Sequence, residues 1–159
     1  MAVDLIQGLQ QAIVLLDNYT PDVPPPVVTT VVQRDYDWIR NVIQGKTGLR
    51  WLPMDGTYYL TDQANFMQIL EWDTTNLKKY IRDKYDCENY GFSLKANVDR
   101  YFHLNQVGFV LDYSGEHGYN CIIFPNGQLW LIEPQSDSLF FLTNRNKDVY
   151  PMNEGYILL

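Results

Sequence analysis

The stretch Asp86-Cys87-Glu88-Asn89-Tyr90-Gly91-Phe92 divides the chain into two textures. Upstream of it apolar residues recur at helical spacing, and from Val107 onward they alternate between tight turns. Asp86 is a favoured N-cap residue, which puts Cys87 at the first helical position. Cys87, Tyr90, Gly91, Leu94, Val98 and Tyr101 or Phe102 then fall three and four apart and predict one packed face. Gly91, one turn past the sulfur, leaves room for a second backbone to approach. Helices first and antiparallel strands after is an α+β layout.

Working outward, Asp35 to Ile43 reads as a short helix closed by Gly45. Thr61 or Asp62 caps a helix through Leu70, and Thr74 or Thr75 caps another through Tyr85. Strands are expected at Val107–Tyr113, Tyr119–Phe124, Gln128–Glu133, Leu139–Leu142 and Tyr156–Leu159. Residues 1–20 carry Leu5, Leu9, Ile13, Leu16 and Tyr19 near a helical stripe, an N-terminal helix that packs on the domain or on a second copy in a homodimer. Prolines 21, 24, 25 and 26 make residues 21–34 an extended connector, so the domain proper is 35–159.

The 159 residues carry a net charge of -7, and no basic cluster is denser than Lys78-Lys79. A nucleic-acid partner is therefore not expected. The N-terminus lacks a basic leader, and its longest apolar run, Ala12 to Leu16, is too short for a signal core or a membrane span. Two cysteines build no disulfide framework, so a reducing, cytoplasmic setting is expected.

A thiol at a helix start sits near the positive end of the macrodipole, a setting that suits a nucleophile. It is also an ordinary place for a small packed side chain, and Glu88 beside it opposes a thiolate. A cysteine nucleophile needs a histidine, and the histidine needs a group that orients it. His103 ends the motif helix, where the helix C-terminus accounts for it. His117 heads a strand, and Glu133 closes the next one.

Between them lies Phe124-Pro125-Asn126-Gly127-Gln128. Proline and asparagine suit the centre of a type I turn, and glycine suits the left-handed residue after it. In that three-residue loop Glu133 lies opposite Tyr119, and His117 and Glu133 share a face as diagonal neighbours. A two-residue Asn-Gly loop would put them on opposite faces. Cys121 shares the His117 face and reads as core. Cys87, His103, His117 and Cys121 lack the paired spacing of a zinc site.

The segments "KYDCENYGF", "EHGYNCIIF" and "LWLIEPQSD" resemble the C-terminal papain-like cysteine-protease domain of the MOA-type mushroom agglutinins, over residues 60–159. Asp86 to Gly91 is also similar to the "DCEDYA" of bacterial transglutaminase-like cysteine peptidases. The resemblance implies a papain-like or transglutaminase-like α+β fold, with Cys87 as nucleophile, His117 as general base and acid, and Glu133 as orienting carboxylate. The implied function is a cysteine peptidase or amidase acting on a peptide or protein substrate. The resemblance further implies a divalent cation, typically calcium, held by Glu88, Asn89, Gln135 and Asp137. Asn89 departs from the family's acidic residue, which removes one charge. No sugar-binding repeat is visible. The alternative is a catalytically inactive binding or structural module, as in phage or other assemblies, on the same fold.

Overall fold

Three helices follow aspartates in this computed structural model, which describes residues 23–159. Asp35 accepts the Trp38 N–H at 2.8 Å and opens α1 (Tyr36–Ile43). Asp62 accepts the Asn65 N–H at 2.9 Å and opens α2 (Gln63–Trp72). Asp86 precedes α3 (Cys87–Phe102), where Asn89 Oδ1 in turn accepts the Asp86 N–H at 3.0 Å. His103 closes α3 in the left-handed conformation, its N–H on the Asp99 carbonyl. The helix expected from Thr74 to Tyr85 does not form. A 3-10 turn (Thr75–Leu77) is followed by irregular chain and an isolated Ile81–Tyr85 bridge. Leu77, Tyr80 and Ile81 are exposed there, so no apolar face is buried to stabilise a helix of that length.

The main sheet has six strands in the order β2 (Arg50–Leu52), β8 (Gly155–Leu158), β4 (Val107–Asp112), β5 (His117–Ile123), β6 (Leu129–Glu133) and β7 (Ser138–Phe141). All neighbours are antiparallel except β2 with β8. A second, two-stranded sheet pairs β1 (Val32–Asp35) with β3 (Thr57–Leu60). β2 and β3 are three and four residues long, too short to show an alternating pattern in the sequence. β1 starts within the connector expected over 21–34. The prolines stop at Pro26, and the following Val-Val-Thr-Thr-Val-Val run is β-branched throughout. The connector is also fastened, with Trp72 Nε1–H on the Val23 carbonyl at 2.7 Å. The expected N-terminal helix lies outside the described residues.

Apolar side chains pack both faces of the sheet. On one face Ile39, Val42, Tyr58 and Leu60 meet Val110, Tyr119, Cys121 and Leu131. On the other, Phe66, Ile69, Leu94 and Val98 from α2 and α3 meet Val107, Ile122 and Ile132. One buried carboxylate joins distant segments: Asp112, at the end of β4, accepts from the Gly115 N–H, the Tyr119 hydroxyl and the Met152 N–H. No helix among the described residues is long and apolar enough to cross a membrane.

Candidate functional site

Two glycines let α3 settle against the sheet. A Cβ on Gly91 would lie 2.7 Å from the Phe109 ring, and one on Gly118 would lie 3.2 Å from the Glu88 backbone. The buried Asn120 side chain then bridges the two layers, donating to the carbonyls of Gly91 at 2.8 Å and Gly108 at 3.1 Å. This seats the first turn of α3, and with it Cys87, at the end of β5 where His117 begins.

The β5–β6 turn has the three-residue form. Gly127 is left-handed at φ 79, its N–H reaches the Phe124 carbonyl, and Phe124 N–H bonds the Gln128 carbonyl. Ile123 pairs with Leu129 and Asn120 with Ile132, which puts Glu133 one diagonal step from His117. Glu133 Oε2 lies 2.7 Å from His117 Nε2. Cys87 lies close enough to act on the charge of the imidazole.

Burial of the ring disfavours its charged form. The hydrogen bonds and charges of Cys87 and Glu133 outweigh that effect and push the imidazole up to about 9, so His117 is an imidazolium at neutral pH. The side chains of His117 and Glu133 are 18% and 15% exposed, enough for a solute to reach the pair. Cys121 is fully buried in the core, and burial pushes its thiol up to about 12.

Around this cluster the surface is acidic and aromatic. The Cys87 thiol donates to Glu88 Oε2 at 3.4 Å. Burial and then the Asp86 carboxylate beside it raise the Glu88 carboxyl above its usual range. Tyr80, 49% exposed, lies within the fields of Asp86, Cys87 and Glu88. Tyr150, whose hydroxyl donates to Glu133 Oε2 at 3.0 Å, was not among the residues expected at the site. It lies in a stretch with no periodicity, where an aromatic residue among polar ones was the only signal.

The four residues implied for a divalent cation are held by separate local hydrogen bonds. Glu88 and Asn89 are tied to the start of α3. Asp137 accepts from Asn76 Nδ2 at 2.5 Å, and burial, then the charge of Asp73, push its carboxyl up to about 7. The Gln135 N–H turns back to Glu133 Oε1. Among the described residues no three His, Cys, Asp or Glu side chains form a metal-holding group.

No family model and no curated protein matches the chain. Solved structures do. A PSL1a–E64 complex superposes with a TM-score of 0.65 at 12% identity, covering 80% of this chain and 51% of the other. A Polyporus squamosus lectin bound to the human-type influenza-binding epitope Neu5Acα2-6Galβ1-4GlcNAc gives 0.64 at 12%, covering 80% and 49%. What is shared is the fold of the matched part of these chains. The chain spans about half the length of these neighbours.

The comparison corrects the functional expectation. The neighbours are lectin structures, and the cysteine peptidase or amidase acting on a peptide or protein, with its hydrolase chemistry and calcium dependence, is given up on that finding. The α+β layout stands, while the papain-like assignment gains no support from the neighbours. The physical reason is general: three side chains in the right order describe how strands and helix meet, and one such scaffold serves many functions.

Proposed function

We propose that this chain is a binding module that takes a glycan over the face formed by the start of α3 and the His117–Glu133 pair. The observation that carries the reading is the composition of that face. The Glu88 carboxylate lies near the exposed ring of Tyr80, and the partly exposed His117–Glu133 pair completes the face; acceptors for sugar hydroxyls together with an aromatic platform suit a polyhydroxylated ligand. The fold shared with a lectin crystallised with a sialylated trisaccharide supports the same class. Cys87, His117 and Glu133 form the floor, with Cys87 as a reactive thiol, His117 as its acid–base partner and Glu133 as the carboxylate that orients the ring.

The test is an NMR titration of the 15N-labelled chain with Neu5Acα2-6Galβ1-4GlcNAc. Saturable shifts at Tyr80, Glu88 and His117 are expected, with affinity falling about tenfold in Tyr80→Ala. Shifts confined to other surfaces, or none at millimolar trisaccharide, would remove the proposal.

A further inference from the structure

Glu133 Oε2 serves two donors. His117 Nε2 lies 2.7 Å from it and the Tyr150 hydroxyl 3.0 Å. Its other oxygen receives only a long contact from the Gln135 N–H, at 3.4 Å. The phenol is therefore the second strong anchor of the carboxylate.

Tyr150 is itself held firmly. Its ring meets Tyr119 edge-on at 4.9 Å, Phe140 at 5.1 Å and His117 at 5.8 Å. Its N–H bonds the Asn146 carbonyl at 2.8 Å, and its carbonyl accepts from Arg145 Nε at 3.0 Å. Ring and backbone thus fix the hydroxyl independently of Glu133. A carboxylate on two rotatable bonds, tied by one such donor, keeps a single orientation toward the imidazole.

We propose that Tyr150 is a positioning residue, which through Glu133 holds the His117 ring against Cys87 and so sets the reactivity of that thiol. The inference rests on the reading of Cys87 as the site's reactive thiol. Tyr150 contacts Glu133 and the His117 ring, and acts on the thiol through them.

The experiment is the rate of Cys87 alkylation by iodoacetamide across pH 5 to 10 in the intact chain, with thermal unfolding recorded for each variant. Tyr150→Phe keeps the ring and loses the hydroxyl. It is expected to slow Cys87 about tenfold and to move the alkaline limb of the profile to lower pH, with little change in melting temperature. Ile69→Ala weakens the core on the other face of the sheet and leaves Tyr150 in place, so melting should fall while the rate profile stays where it was. Glu133→Gln is the reference for loss of the carboxylate's charge.

If Tyr150→Phe reproduces the wild-type profile while Glu133→Gln shifts it, the inference fails and the reading of the site survives. If Ile69→Ala slows Cys87 as much as Tyr150→Phe does, loss of stability rather than the hydroxyl is responsible and the inference again fails. If wild-type Cys87 reacts no faster than Cys121, the reading of the thiol has failed before Tyr150 is reached.

Discussion

Cys87 and Cys121 place one functional group in two settings. Cys87 is partly exposed beside an imidazolium, and Cys121 is fully buried, with its thiol pushed up to about 12. Brief iodoacetamide treatment of the native chain at pH 7 is expected to label Cys87 and spare Cys121, with both labelled in denaturant. Equal native labelling, read by peptide mass spectrometry, would contradict the burial described. Asn89 presents a second case at this scale. It is 3% exposed and its carbonyl oxygen holds the Asp86 N–H, so Asn89→Ala should cost about 1 kcal/mol in urea unfolding.

At the scale of elements, the seam between α3 and β5 decides whether the site exists. In Gly91→Ala the new methyl group meets the Phe109 ring, which is already stacked on Phe92 at 4.1 Å. Overpacking of that kind should lower stability by about 1–3 kcal/mol. Gly118→Ala presses on the Glu88 backbone instead. Its expected signature is slower Cys87 alkylation with a smaller fall in melting temperature, because the first turn of α3 lifts away from His117.

Much of this level could be read in the sequence. Asp35, the Thr61–Asp62 pair and Asp86 marked three helix starts, with Asp62 the cap of the second, because capping is local chemistry. Pro125-Asn126-Gly127 set the β5–β6 register because turn geometry is local too. What stayed hidden was not local. The 75–85 segment failed as a helix for want of a partner surface, and β8 joins β2 to β4 through a pairing that no short-range pattern reports. Tyr150 was invisible for the same reason, since its role depends on where a distant irregular segment comes to rest.

For the whole molecule, the His117 shift becomes a pH dependence of folding. Its folded value is raised, to about 9 from 6.5, so the stabilisation is fully present below pH 6.5 and is lost as pH rises through about 9. Asp137 works in the same direction lower down. Its carboxyl is raised from 3.8 to about 7, so the protonated form is favoured in the fold and stability declines between those values. Urea unfolding from pH 5 to 10 should show stability falling toward alkaline pH, and Glu133→Gln should flatten the upper part of that fall. A curve rising above pH 7 would contradict both assignments.

Asp112 has a mechanical consequence as well. It binds the Met152 backbone, and β8 just beyond lies between β2 and β4 with a ladder on each side. Residues 146–149 before it are exposed. A protease that nicks the chain after Lys147 should therefore release nothing. The two fragments should elute as one species and separate only in denaturant, in the manner of a complemented split protein.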